Sequence, residues 1–237
     1  MKILLCLFLL LSCATAQEKP VKTVILTFDD SVKSQVEFVA PLLKKYGFNA
    51  TFFITEGFSF HTRKDLYMSW EEIKKLNADG FEIGNHTRNH KNVNSLSEEQ
   101  LNESLEYIEK QCEKQGIPKP VSFCYPGYAT GKTALKVLKA RGYKFARAGG
   151  SKASEIGKEN LLLLPQAFDG KPKSTLEQFK AAVDLADEKH VPIFTFHGVP
   201  DIEHPWVNTD QKKFVQYMDY LKEKGVRVIA LRDLPVK

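Results

Sequence analysis

Cysteine is scarce. The chain has four in 237 residues, two of them (Cys6 and Cys13) at the very start, which excludes a disulfide-dense scaffold and any cysteine-based zinc ribbon. The later pair, Cys112 and Cys124, lacks a metal-ligand spacing and reads as two buried thiols, with a single disulfide as the alternative. No glycine-rich phosphate turn follows an early strand, so the sequence does not favour a dinucleotide or P-loop fold. Proline- and glycine-rich linkers are also missing, which favours one domain after the leading segment. Neither charge sign forms a block. Lys and Arg number 34 against 29 Asp and Glu, for a net charge of +5, but the basic residues are interleaved with acids as on solvated helix faces, so no nucleic-acid partner is expected.

Long hydrophobic runs are absent except in the first residues. There, "MKILLCLFLLLSCATAQ" has a positive start, an apolar run from Ile3 to Leu11 and small residues at Ala14 and Ala16. This is the pattern of a secretory signal peptide over 1–16, with an apolar run too short to span a bilayer comfortably. "LLSC" also resembles a lipoprotein signal that would end before Cys13 and lipidate it, the one membrane attachment expected. The expected location is secreted, periplasmic or a lipoprotein at the cell surface, with residues 17–237 as the folded domain. Nothing in the sequence sets an oligomeric state.

What is present is a regular alternation. "TVILTF", "ATFFIT", "FEIGN", "VSFCY", "YKFAR", "LLLLP", "PIFTFH" and "VRVIAL" read as strands, mostly continuous apolar runs of the kind buried on both faces in a parallel sheet. Amphipathic segments separate them: Val36 to Tyr46, Ser69 to Asn77, Ser97 to Gln115, Thr133 to Arg141, Thr175 to His190 and Thr209 to Lys224. Ser69 with Glu72 and Ser97 with Gln100 read as capping boxes, and Gly47, Gly142 and Gly225 as helix stops. Repeated strand, helix, strand argues for an α/β fold with a parallel sheet, and the lack of a phosphate turn favours a barrel over an open sheet. In a barrel, chemistry gathers at the carboxyl ends of strands.

Asp29 and Asp30 follow "VILTF", His86 and His90 follow "FEIGN", and His197 follows "PIFTF", so all five lie at that one rim. If "HTRNH" makes a helical turn, its histidines share a face and converge on one ion. One of the adjacent aspartates can supply a third ligand while the other stays free as a base. Two histidines, a carboxylate and an open position describe a catalytic zinc site. The same set also describes non-haem iron oxygenases, although their usual β-sandwich does not match this alternation.

"TFDDS", "HTRNH", "YPGY" and "TFHGV", in this order on a β/α pattern, resemble the polysaccharide deacetylases of carbohydrate esterase family 4 over most of 17–237. The resemblance implies a distorted (β/α) barrel of about seven parallel strands with surrounding helices. It implies metal-assisted hydrolysis of acetyl groups from N-acetylated glycans or their oligosaccharides, chitin-like or peptidoglycan-like, with acetylated xylan as the alternative substrate. Carried over by position, Asp30, His86 and His90 would bind one divalent ion, zinc first, with cobalt, nickel or manganese as alternatives. Asp29 would be the general base and His197 the general acid. The N–H of Gly127 would meet the oxyanion, with Tyr128 next to it in the substrate-binding segment. In "HGVPDIEHPWVN", Trp206 can stack on a sugar ring and His204 can line the site, or the pair can simply pin the loop. His61 and His190 read as surface residues, the latter near a helix end, and Trp70 as core.

Two departures stand out. The third motif usually opens with an arginine two residues before its proline, where it holds the catalytic aspartate; here that residue is Cys124. The fourth motif, an aspartate followed by tryptophan, is not recognisable, and Asp169 in "QAFDG" reads as a turn residue. These departures keep open a carbohydrate-binding homologue with impaired catalysis. A third reading, an amidohydrolase for a small amide, is opposed by the export signal.

Overall fold

The structure is a computed structural model and describes residues 21–236. The expected signal segment 1–16 and Cys13 lie outside the described residues. The strands, in chain order, are β1 (Thr23–Phe28), β2 (Thr51–Ile54), β3 (Glu82–Asn85), β4 (Ser122–Cys124), β5 (Phe145–Arg147), β6 (Ser154–Glu155), β7 (Phe168–Asp169), β8 (His190–Val191), β9 (Ile193–Phe196) and β10 (Arg227–Ile229). The helices are α1 (Ala40–Tyr46), α2 (Trp70–Ala78), α3 (Glu98–Lys114), α4 (Lys132–Ala140), α5 (Leu176–Asp184) and α6 (Gln211–Glu223).

The main sheet runs β5-β4-β3-β2-β1-β9-β7, with β10 beside the first half of β1. Every pairing in it is parallel. Seven parallel strands in line, with β10 as an eighth beside β1, thus form a curled half-barrel with helices around it, as the family resemblance implies.

Side chains alternate between the two faces of a strand, and that period decides what points inward. On β1, Val24, Leu26 and Phe28 join the large apolar cluster under α1, α5 and α6, whereas Ile25 joins the interior cluster. Continuing the same phase by two and four residues brings Thr27 and Asp29 to the interior. The phase repeats elsewhere. Phe53 on β2, Cys124 on β4, Phe145 on β5 and Ile193 on β9 are all interior, while Phe52, Ile83, Phe194 and Phe196 face the helices. His86, Arg147, Asp169 and His197 therefore inherit the interior face at strand ends.

Gly84 is required by this packing. A Cβ there would run into the Phe53 ring and lie 3.2 Å from the Ser122 carbonyl. Gly84→Ala is therefore expected to push Phe53 out of place, costing about 1–3 kcal/mol, read as a lower urea midpoint at unchanged slope. An unchanged midpoint would show that Phe53 has room to move.

The helices match the expected amphipathic segments with three differences. Residues Gln35–Val39 form a π-helical turn before α1, α5 stops at Asp184, and His190 lies on β8 beside Asp187 (2.9 Å) rather than near a helix end. Both predicted capping boxes are present, and Thr175 with Gln178 adds a third. "LLLLP" is not a strand: it is a turn held by Asn160, whose side chain accepts from Leu162 N–H at 3.0 Å, and only Leu164 makes a bridge, to Arg147. Cys112 and Cys124 are both buried and free, which settles the disulfide alternative. No helix among the described residues is long and apolar enough to cross a membrane.

Candidate metal centre

Asp29 and Asp30 leave β1 in different directions because the backbone changes hand between them. Asp29 N–H still donates to Phe196 O at 2.9 Å, extending the sheet, whereas Asp30 and Ser31 adopt left-handed conformations with φ of 72° and 57°. The loop after β3 is likewise no helical turn. Thr87 and His90 have φ of 63° and 51°, which corrects the expectation of a shared helix face. Asn85 Oδ1 accepts from Thr87 N–H, Ser104 Oγ from Arg88 N–H and Arg88 O from Glu56 N–H, each at 2.9 Å. Among the described residues, the six non-glycine residues at positive φ are Asp30, Ser31, Phe58, Thr87, His90 and Tyr128. All lie in or beside one pocket of about 220 Å³. Such backbone is costly and persists where the surroundings impose it.

The loop brings His86 and His90 to Asp30. Asp30 Oδ1 lies 3.4 Å from His86 Nε2 and 3.3 Å from His90 Nε2. His86 Nδ1 is 2.8 Å from Cys124 O. A carbonyl only accepts, so Nδ1 carries a proton and Nε2 is the nitrogen turned to Asp30. Burial opposes charge on the ring, but Cys124, Asp30 and Asp29 outweigh it and raise His86 well above its ordinary value, so Nε2 presents a lone pair once a cation displaces its proton. Burial, and then the charge of a protonated His86, push His90 down to about 4, so its imidazole is neutral. Burial opposes charge on Asp30, but the facing His86 and the other imidazoles outweigh it and hold the carboxyl below its ordinary range. Asp30 Oδ1 is buried and has no hydrogen-bond donor.

Once His86 Nε2 gives up its proton, Asp30 Oδ1 and the two imidazole nitrogens are three acceptors facing one point, and they repel unless a cation joins them. A tetrahedral ion with bonds of about 2.0–2.1 Å separates its ligand atoms by about 3.3–3.4 Å, which matches both spacings. The residues present therefore fit a divalent ion. A second cluster, Asp29, His86 and Cys124, has comparable proximity, but Arg147 already fills it.

Arg147, which the sequence reading did not single out, is fully buried at 0% exposure. It donates from Nη2 to Asp29 Oδ2 and lies 2.7 Å from Cys124 Sγ. The expectation that Asp29 lacks a guanidinium because residue 124 is cysteine is thus overturned: the guanidinium comes from the next strand. Burial works against charge on Asp29, yet Arg147 together with His86 and His197 outweighs it and keeps the carboxyl below its usual value. Burial pushes the Cys124 thiol up, so it stays neutral. Oδ2 of Asp29 is tethered, while Oδ1 is buried without a partner. Gln35 Nε2 donates to the backbone carbonyls of both Asp29 and His197, the latter at 3.2 Å.

His197 completes the rim, its Nε2 3.9 Å from both Asp29 Oδ2 and Asp30 Oδ2. Asp169 is not a turn residue but lies on β7, where it accepts from Tyr128 Oη at 2.9 Å and pairs with Lys171 at 2.7 Å. Gly127 and Tyr128 line the pocket in a tight turn after β4. Trp206 lines it as well and is 66% exposed, so it is not pinning the loop from within. His204 is buried between Phe58 (4.5 Å) and Trp206 (5.3 Å), backed by Asp201 at 3.4 Å. His61 is exposed, as expected, and Trp70 is partly buried and donates to Glu56 at 2.6 Å.

A carboxylate and two imidazoles set around one point, beside a tethered carboxylate and facing a third imidazole on a β/α half-barrel, form a hydrolase-type arrangement whose residues fit a divalent cation. The family profile described as "Polysaccharide deacetylase" matches residues 16–146, more than half of the chain. The chain belongs to the polysaccharide deacetylase family.

It is 32% identical over 124 residues to a peptidoglycan-N-acetylglucosamine deacetylase of Bacillus cereus, a match covering 52% of this chain and 54% of that protein. The chain thus spans about half the length of the curated relatives it matches. The chitin deacetylase of Colletotrichum lindemuthianum superposes with a TM-score of 0.64 at 21% identity, covering 89% of this chain and 86% of that one. A CE4-family pseudoenzyme from Bacillus anthracis superposes with a TM-score of 0.62 at 16% identity, covering 91% and 66%. The fold is thus shared by proteins described as active and as inactive, and only the residues of the site can decide between them.

Proposed function

We propose that the protein is a metal-dependent deacetylase that hydrolyses acetyl groups from N-acetylated glycans or their oligosaccharides outside the cytoplasm. The observation that carries this reading is the set of acceptors, Asp30, His86 and His90, next to an Asp29 whose one oxygen is tethered and whose other is free. A divalent ion held by those three residues, zinc first, would supply Lewis-acid polarisation of the acetyl carbonyl and a lowered pKa for bound water. The remaining steps belong to the chain. Asp29 Oδ1 takes a proton from the attacking water, whose oxygen forms the new bond to the acetyl carbon. The N–H of Gly127, which lines the pocket, donates to the carbonyl oxygen as it gains charge. His197 gives a proton to the sugar nitrogen as the C–N bond breaks, leaving acetate and an amine.

Release of acetate from N-acetylglucosamine oligomers, peptidoglycan and acetylated xylan by the metal-loaded protein tests the reading and ranks the substrates. A protein that holds its metal and releases acetate from none of them would sink it. Of the two departures behind the impaired-homologue reading, Arg147 beside Asp29 answers the cysteine at 124, while the fourth motif stays absent and His197 Nδ1 has no hydrogen-bond partner.

Trp206 presents an exposed indole at the pocket mouth, suited to the C–H face of a pyranose. Stacking of this kind contributes about 0.5–1.5 kcal/mol. Trp206→Ala is therefore expected to raise KM for oligosaccharides roughly 2- to 10-fold with kcat little changed. An unchanged KM on oligomers of four or more sugars would remove Trp206 from the binding surface.

A further inference from the structure

Cys124 and Arg147 are direct partners across β4 and β5, Cα opposite Cα in the parallel register. Both face the interior, so the two side chains compete for one volume below Asp29. Neighbouring strands lie about 4.8 Å apart, a distance that an arginine side chain can span. Here it does so: the guanidinium crosses over the short cysteine to reach Asp29 and Cys124 Sγ. Its other arm, Nη1, donates to Gln166 Oε1 at 3.0 Å, and the same oxygen accepts from Thr195 Oγ1 at 2.7 Å. The fork therefore ties the end of β1 to β9, two residues before His197. The rings of Phe53 and Tyr128, each with its centroid 5.7 Å from the guanidinium carbon, close it in. A planar fork can hold two acceptors at fixed angles where an ammonium cannot.

We propose that Arg147 is the positioning residue that fixes Asp29 as proton acceptor, and that Cys124 is the small partner that makes room for it, so the two positions are exchangeable. This assignment rests on the deacetylase reading. It also means that residue 124 alone does not report on competence. The family match ends at residue 146, one short of the arginine.

The test uses the metal-loaded protein with Arg147→Ala, Arg147→Lys and the transplant Cys124→Arg/Arg147→Ala, each made with Asp29 intact and as Asp29→Asn. On N-acetylglucosamine oligomers, Arg147→Ala is expected to lower kcat at least about a hundredfold with KM within threefold. Arg147→Lys keeps the buried charge and is expected to fold normally yet lose at least about tenfold in kcat, because it cannot hold Asp29 and Gln166 together. In the Asp29→Asn background the same changes are expected to lower kcat less than about threefold further, since the arginine acts only through Asp29. The transplant is expected to recover at least tenfold of the loss. Equal losses in both backgrounds, or a transplant no better than Arg147→Ala, would overturn the proposal. Urea midpoints of the same proteins read the pair without turnover. Strongly non-additive losses at 29 and 147 are expected, and additive losses overturn the proposal even if the wild-type protein releases no acetate, an outcome that instead counts against the deacetylase reading.

Discussion

Asp29→Asn is expected to reduce acetate release by about a thousandfold in kcat while leaving metal content at one ion per chain. A positioned general base contributes roughly 10²- to 10⁴-fold, and asparagine has no basic oxygen to take the proton from water. The metal ligands Asp30, His86 and His90 are untouched by the change. The side chain at 29 has a second duty, however, because Arg147 is fully buried against it. Removing one partner of a buried ion pair costs about 3–5 kcal/mol. Asparagine keeps an oxygen that can accept from the guanidinium, so the loss in stability should be smaller than for alanine. A urea midpoint and a metal analysis on the same sample separate lost chemistry from lost fold. Near-normal kcat in a folded, metal-loaded variant would transfer the base to another group.

Metal removal gives the other large effect. Chelation is expected to suppress turnover to the level of Asp29→Asn, and added zinc to restore it. His86→Ala is expected to bind metal at least about a hundredfold more weakly and not to recover at ordinary zinc concentrations. Loss of an outer-shell partner alone weakens a metal site roughly 10- to 100-fold, and His86 is a proposed ligand whose ring is also fixed by Cys124 O at 2.8 Å. The substitution further leaves Asp30 Oδ1, buried and without a donor, facing His90 alone. Metal per chain, measured alongside acetate release, is the readout. Full turnover by a metal-free protein would remove the ion from the reaction.

The parts of this site that were legible in sequence were those attached to strong local signals. A paired aspartate directly after an apolar strand, histidines four apart after another, and a histidine ending a third marked one rim. The geometry that joins them was less legible. His86 and His90 converge through left-handed loop residues, φ 63° at Thr87 and 51° at His90, and no residue in "HTRNH" announces that conformation. "LLLLP" misled because a continuous apolar run looks the same in a buried strand and a buried turn. Asp169 looked like a turn residue because its two-residue strand is too short to show a period. Arg147 was missed although a signal existed: in "YKFAR", Phe145 faces inward, so Arg147, two residues on, must as well. An arginine at an inward strand end is too costly to bury unpaired, and that cost points to a carboxylate.

The sequence by itself determined the parallel β/α architecture, two of the helix caps, the rim on which chemistry gathers, and the paired aspartates and histidines proposed to hold the metal and the base. These follow from periodicities of two and 3.6 residues and from short motifs, which act within a few residues of chain. Only the tertiary structure decided which cation holds Asp29. That depends on the register of β4 against β5, which sets Cys124 opposite Arg147, and on the curl of the sheet that lets one long side chain cross from its own strand to the end of β1. Contact between residues 118 positions apart is a property of packing, and no local pattern encodes it.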